Sequence, residues 1–375
     1  RNQGRRTGER IMSRARDFAD LAASADAGGL TGRNLIINGA ASVNQRGDST
    51  GVTASQYGGP DRFKLGIATA GTFDISQSST APNGFANSYK LDCTTADASL
   101  AAGDLVAAQT RIEGQDLQRL KKGTSDAESV TLSFFVRSNK TGTYVAELLD
   151  NHNNRQVTKT YTISSANTFE YKSITFPADT TGAFNDNNSN ALTILWWLAA
   201  GTNYTSGTAT GSWAASTAAN RAVGLNVNIA DSTSNEWLIT GVQLEVGEQA
   251  TPFEHRSFAD ELARCQRYAY KIGGSRNDTY GPGMGLYQDG NEFNFGPVFP
   301  PVTFRANPSL TVFGTAPAIK INGGANTGFT ATISCAANEM QFIRLTKSSH
   351  GLSASHVANM NFASTSDYII LDAEL

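Results

Sequence analysis

The chain has 375 residues, of which 39% are hydrophobic and only 17% charged, and its net charge is −3. That length allows two or three domains, and a low charge with abundant Thr, Ser, Asn and Gly suits strands joined by many turns. The positive residues form no long tract apart from the opening segment with Arg1, Arg5, Arg6 and Arg10, so no basic face or stripe that would neutralise phosphates is expected, nor nucleic acid as a partner.

The longest strongly apolar run, residues 191–200, is about half the ~20 residues that a membrane helix needs. No secretory apolar region opens the chain, so no membrane insertion is expected. Arg1 stands where a start Met would, and a preceding segment is expected. Cys93, Cys265 and Cys335 are odd in number and form no Cys-x-x-Cys pair, which points to buried free thiols in a protein made in a reducing cytosol.

In chain order, residues 8–24 lack Gly and Pro after Gly8, and Ile11, Ala15, Phe18 and Ala22 recur at spacings of four, three and four. The pattern predicts a helix with one narrow apolar seam, of the kind that meets its copies along an axis. Residues 1–32 form this helical segment, which Gly28 and Gly29 end. From 33 to 255 the period becomes two. In residues 129–137, Val130, Leu132, Phe134 and Val136 alternate with Thr131, Ser133, Phe135 and Arg137, which predicts a strand with one buried face. Similar runs at 143–149, 157–163, 171–176, 192–198, 223–229 and 237–245 are separated by Asn-, Asp- and Gly-rich turns. Seven or more short strands so punctuated make a two-sheet sandwich.

Residues 256–274 return to helix, with Ser257 as cap, Asp260 three residues on, a seam of Phe258, Leu262, Cys265 and Ala269, and Gly273 and Gly274 closing it. Strands resume in 275–375, at 292–295, 302–304, 309–313, 329–333, 341–345 and 368–371, while the Pro-rich tract 295–301 precludes a central strand there. The fold expected is mainly β: an N-terminal helix, a jelly-roll β-sandwich, a short linking helix and a smaller C-terminal β domain.

Three segments carry a resemblance. Asn34-Leu-Ile-Ile-Asn-Gly39, Leu132-Ser-Phe-Phe-Val-Arg137 and Ile239-Thr-Gly-Val-Gln-Leu-Glu-Val-Gly247 look like landmarks of jelly-roll, carbohydrate-binding-module-like domains. The run Gly241-Val-Gln-Leu-Glu-Val-Gly-Glu-Gln-Ala-Thr-Pro-Phe-Glu254 and the following Arg256 to Tyr268 are similar to a junction in phage tail-fibre and related appendage proteins. There a second β domain follows, with a segment like residues 300–308 and a closing strand like 369–375. The resemblance spans roughly residues 33 to 375. It implies a homotrimeric structural protein of a bacteriophage virion, assembled in the host cytoplasm as a tail appendage, attached to other tail proteins and contacting a host-surface glycan. A purely structural tail or capsid-decoration component and a glycan depolymerase are the alternatives. Ile11, Ala15, Phe18, Ala22, Phe258, Leu262 and Cys265 are the candidate trimer-interface residues.

No metalloprotease, nucleophile-elbow or P-loop motif is present, and His152, His255, His350 and His356 fit no nucleophile or metal pattern. The chain is therefore expected not to be an enzyme. Candidate glycan-binding residues are Trp196, Trp197, Tyr204 and Trp213. The adjacent tryptophans on one strand point to opposite faces, so one of them must find a partner or a sugar outside the core. Tyr204 and Trp213 fall in a Gly/Thr/Ser segment expected to be a long loop. No cofactor is called for, except that jelly-roll modules of this kind often carry a structural calcium ion, for which Asn38 and Glu245 lie in the matching places in outline.

Overall fold

The computed structural model describes residues 32–273, 284–289, 292–313, 318–321, 324–326, 330–336, 341–346, 357–361 and 367–375, with side chains in 32–273, 298–313 and 367–375. The helix predicted over residues 8–24, with Ile11, Ala15, Phe18 and Ala22, lies outside these residues. Of the described residues, 32–42, 49–56 and 63–256 form one compact unit and 43–48, 57–62 and the residues from 257 onward a second. Two short excursions near the start of the predicted 33–255 domain thus belong to the second unit.

The first unit is a jelly-roll β-sandwich of thirteen strands: β1 (Ser49–Val52), β2 (Gln56–Tyr57), β3 (Lys64–Ala68), β4 (Thr72–Ser78), β5 (Ser88–Thr95), β6 (Leu105–Glu113), β7 (Val130–Ser138), β8 (Gly142–Asp150), β9 (Arg155–Ile163), β10 (Glu170–Phe176), β11 (Asn190–Ala200), β12 (Ala214–Ala215) and β13 (Glu236–Val246). Sheet I has the order β1-β4-β5-β13-β7-β10 and sheet II the order β12-β9-β8-β11-β6-β3-β2. Leu132 and Phe134 of β7 and Trp237 and Leu244 of β13 meet Tyr144, Tyr161, Ile194 and Trp196 of sheet II in one continuous core. Phe134 stands edge-on to Tyr161 at 5.2 Å and to Trp196 at 5.8 Å between ring centres, the geometry that aromatic quadrupoles favour. β11 and β13 are buried on both faces over nine consecutive residues, hence their near-continuous apolar runs.

The strand predicted at 223–229 does not form. Val227 and Ile229 are buried as its alternation requires, but Gly224 turns the chain with φ 92°, and the Asn226 side chain accepts from Thr143 N at 2.7 Å. The Asn228 side chain likewise accepts from Ala230 N, opening a short 3-10 turn at Ile229–Asp231. Side-chain hydrogen bonds from Asn thus replace the ladder.

β13 organises its end of sheet I. At Glu236–Ile239 it pairs with β5. Beyond a bulge between Thr240 and Gln243, the 34–39 segment takes the place of β5: Leu35 N donates to Leu244 O at 2.9 Å and Val242 N to Gly39 O at 2.9 Å. The Asn34 side chain grips the same strand twice, donating to Val242 O and accepting from Leu244 N. After β13 the chain doubles back. Glu245 accepts from Thr251 N and Thr251 Oγ1, Gln243 accepts from Glu254 N, and Glu254 accepts from Asn34 N at 2.8 Å. Arg256 finishes the interlock by donating to Ile36 O and Asn34 O.

In the second unit α2 (Phe258–Gln266) follows the short α1 (Thr202–Thr205) of the first. Ser257 caps α2, its Oγ accepting from Asp260 N at 3.2 Å and donating to Asp260 Oδ2 at 2.6 Å, a reciprocal cap. The helix stops at Gln266, and Ala269 and Gly273 lie on β14 (Ala269–Gly273) instead of on a longer helix. Of the predicted seam, Phe258 is 60% exposed, whereas Cys265 is fully buried and so is interior to its own unit, not an interface residue; Leu262 is half-buried. The remaining strands are β15 (Met284–Asp289), β16 (Glu292–Val298), β17 (Ser309–Phe313), β18 (Ala318–Ile321), β19 (Gly324–Asn326), β20 (Thr330–Ala336), β21 (Gln341–Thr346), β22 (Val357–Asn361) and β23 (Tyr368–Asp372). They form a sheet β14-β23-β17 and a sheet β19-β18-β22-β15-β16-β21-β20. β16 is an inner strand that runs into the Pro-rich tract, against expectation, because a register shift between Phe295 and Val298 absorbs Pro297. No strand forms at 302–304, although Phe304 is buried. A buried ion network joins Arg46 to Asp61, Asp372 and Glu374, and Arg62 to Glu374, with the Arg62 guanidinium 3.4 Å over the Tyr268 ring. Burial pushes the Asp61 carboxyl up to about 6 even though Arg46 and Gln45 oppose the shift.

Among the described residues no helix is long and apolar enough to cross a membrane. Cys93 and Cys265 are buried free thiols.

Gly39 is the tightest joint of the interlock, since a Cβ there would stand 2.1 Å from Val242 O. Gly39→Ala is expected to lower stability by about 2–3 kcal/mol, because backbone and not a flexible side chain must move. Gly103→Ala, whose Cβ would meet only the Asn203 side chain at 3.7 Å, should stay within about 0.5 kcal/mol. Urea unfolding of both variants measures the contrast.

Candidate functional site

The two tryptophans of β11 do point to opposite faces, and both are buried, Trp196 at 0% and Trp197 at 1% exposure. Trp196 lies in the inter-sheet core. Trp197 lies on the outer face of sheet II, where Val145, Leu195, Ala107 and Ala222 surround it. Its Nε1 donates to Glu147 Oε2 at 2.8 Å, and the Arg221 fork reaches both oxygens of that carboxylate at 2.9–3.2 Å. The Tyr204 ring stands 5.2 Å from Trp197. The Gly/Thr/Ser segment that holds Tyr204 and Trp213, expected to be a long loop, carries α1 and leads into β12, and residues 201–225 fold over this face. Trp213 is half-buried, packs against the core and donates to Pro177 O at 2.9 Å. Trp196 and Trp197 offer no ring to a sugar, and Tyr204 and Trp213 are spent on holding the cover in place.

Burial raises the Glu147 carboxyl despite Arg221 and the Trp197 donor. A carboxyl raised in the fold takes up its proton before the unfolded chain does, so its burial costs least in acid and most above the folded pKa. Arg221→Met leaves this carboxylate without its cation, and a loss of about 3–5 kcal/mol is expected at neutral pH. The loss should shrink as the pH falls toward the ordinary carboxylate range; thermal melts of wild type and variant across that range provide the check.

The calcium expectation fails a test of fit. Glu245 is buried and its two oxygens already take donors from Gln243 Nε2, Thr251 N and Thr251 Oγ1 at 2.6–2.9 Å. Asn38, at φ 62°, accepts from Ser42 N at 2.9 Å and closes a turn. Among the described residues no group of three or more His, Cys, Asp or Glu could hold a metal ion. The Asp150 to Asn154 stretch is a turn: Asp150 Oδ1 accepts from His152 N and Asn153 N, and Oδ2 accepts from Lys122 Nζ at 2.6 Å.

The outer face of sheet I differs. Register places Tyr171 beside Phe135 and Phe135 beside Thr240, all pointing away from the core. The Phe135 and Tyr171 rings are 5.1 Å apart. Phe85 stands 5.5 Å from Phe135, 5.1 Å from Phe253 and 5.2 Å from His255, and Phe253 is 4.9 Å from His255. Five rings thus form a continuous patch. Tyr171 is 49% exposed, His255 is exposed, and Phe85, Phe135 and Phe253 are half-buried.

Three local features build the patch. A turn in which Phe85 N donates to Pro82 O, with Gly84 at φ 94°, delivers Phe85, as Gly at the third turn position allows. At the β13 bulge Gly241 has φ 62° and no Cβ, which would stand 2.7 Å from Phe85 Cζ and 3.0 Å from Phe135 Cδ2; the rings rest on bare backbone. The segment that doubles back after β13 supplies Phe253 and His255. In the sequence, Phe135 stands out only as an outward-facing position of its strand, and His255 fits no nucleophile or metal pattern. An unpaired Phe on an otherwise polar strand face was the one available signal.

No protein-family model and no curated protein matches the chain. Among solved structures it is similar to the enzymatically active domain of bacteriophage CBA120 tailspike protein 4, at 12% identity over 57% of this chain and 21% of that one, TM-score 0.32. It is also similar to a family 11 carbohydrate-binding module from Clostridium thermocellum in complex with a mixed-linked tetrasaccharide, at 10% identity over 56% and 98%, TM-score 0.28. A CBM22 tandem from Paenibacillus barcinonensis Xyn10C matches at 10% over 91% and 98%, TM-score 0.25. The chain spans about a fifth of the tailspike chain's length.

Proposed function

We propose that the protein is a non-catalytic glycan-binding component of a phage tail appendage, and that it binds through the aromatic patch of sheet I. The observation that carries this reading is a run of five rings on a solvent face. Contiguous exposed apolar surface of this kind marks interaction sites, and flat rings with polar neighbours suit the apolar face of a sugar. Of the outward positions flanking the rings, Ser133, Thr240, Gln243 and Leu238 are buried, and Ser173 is exposed beside Tyr171. A polar residue as the exposed neighbour favours a sugar over an apolar protein surface.

The appendage assignment is supported by the sequence resemblance at residues 241–268. That junction is where Gln243, Glu245, Glu254 and Arg256 interlock. Homotrimerisation, attachment to tail proteins and residence in the virion are part of the proposal, with the 60% exposed Phe258 and the 8–24 seam as the surfaces that copies would share. The non-catalytic reading is supported by three of the buried acids, Glu147, Asp150 and Asp179, each of which is paired with a cation.

Light scattering on the purified chain is expected to give three times the 39.8 kDa chain mass; a monomer would remove the fibre reading. Retention on immobilised polysaccharides should fall about five- to twelve-fold in Phe135→Ala and in Tyr171→Ala, each worth roughly 1–1.5 kcal/mol. Trp213→Ala should leave retention near wild type, and no reducing ends should be released. Retention unchanged in both patch variants would rule the patch out.

A further inference from the structure

Resting on the glycan-binding reading, we infer that the sheet I patch selects neutral oligosaccharides over acidic ones. Among the described residues, the charges along one border, Arg137, Lys90, Asp92 and Glu236, are committed to one another. Register puts Arg137, Leu238 and Lys90 in one row across β7, β13 and β5, next to the row of Tyr171, Phe135 and Thr240. Arg137 donates to Glu236, to Asn167 O at 3.0 Å and to the Asn167 side chain. Lys90 Nζ lies 2.9 Å from both Asp92 and Glu236. Two cations and two carboxylates thus cancel along that side.

On the opposite side the row is Ser173, Ser133 and Gln243, which carries no charge. Arg256, which ends the doubled-back segment, is held by Ile36 O, Asn34 O and Glu254. At the β10 edge Lys172 is bound to Glu170 at 2.6 Å. Among the described residues, Arg33 beside Phe253 is engaged by Pro252 O, and an acidic sugar would draw on Arg137, Lys90 or Arg256 only by breaking an ion pair, which leaves the other partner uncompensated. A neutral sugar gives nothing up by stacking on the rings. Salt screens charge attraction and leaves apolar contact intact, so the two ligand classes differ in salt response.

The test is affinity electrophoresis of the full chain in gels containing laminarin, galactomannan or starch as neutral polymers and alginate, polygalacturonate or hyaluronan as acidic ones, at low and high NaCl. Expected is retardation by at least one neutral polymer, changed less than about two-fold by salt, and lost in Tyr171→Ala, whose melting temperature shows that this edge-strand variant remains folded. Retardation by acidic polymers alone, weakened by salt, would overturn the neutral selectivity while leaving glycan binding intact. No retardation by any polymer would overturn the glycan-binding reading and this inference with it.

Discussion

The sandwich depends on the hydrogen-bonded interlock around β13. This strand is central in sheet I, yet below its bulge it has no regular strand on one side, and its backbone groups there would be left buried and unpaired. Asn34 and Gly39 supply the missing partners from the start of the domain. Glu254 and Arg256 then tie the strand's own continuation back onto that segment. Buried polar groups of this kind are costly when unmatched and rigid when matched. Residues more than two hundred positions apart are thereby fixed together, and the rings of Phe253 and His255 are fixed with them.

The two sheets treat their outer faces in opposite ways. Sheet II has its outer surface over Trp197 and Glu147 closed by residues 201–225, with an Arg–carboxylate fork as the fastening. Sheet I keeps an aromatic surface in contact with solvent, at a bulge where a glycine lets rings lie against backbone. Bulges often re-aim side chains beside functional sites. Here the bulge also marks the position where β5 gives way to the 34–39 segment, so one irregularity serves both the interlock and the patch.

Much of the architecture was legible because core-facing apolar residues alternate along β7 and β10 and run near-continuously along β11 and β13. The opposed tryptophans were legible for the same reason, as was the cap at Ser257. The partner of Trp197 was not, because Glu147 and Arg221 sit 50 and 24 residues away on a strand and in a cover that no local pattern joins. The run 223–229 misled because a coil can bury alternate residues too when Asn side chains satisfy its backbone. Pro297 misled in the opposite sense, since a bulge admits proline inside a sheet. The patch was the least legible feature: Phe85 comes from a turn, Phe253 and His255 from the doubled-back segment, and only the fold brings them to Phe135 and Tyr171.

The central claim is that sheet I, and not the covered face of sheet II, meets the ligand. Hydrogen–deuterium exchange of the full chain, with and without a polysaccharide that retains it, separates these faces directly. Slower exchange on binding is expected in peptides covering 82–88, 131–137, 168–176 and 250–256, with no change over 201–225. Protection confined to 201–225 would contradict the account.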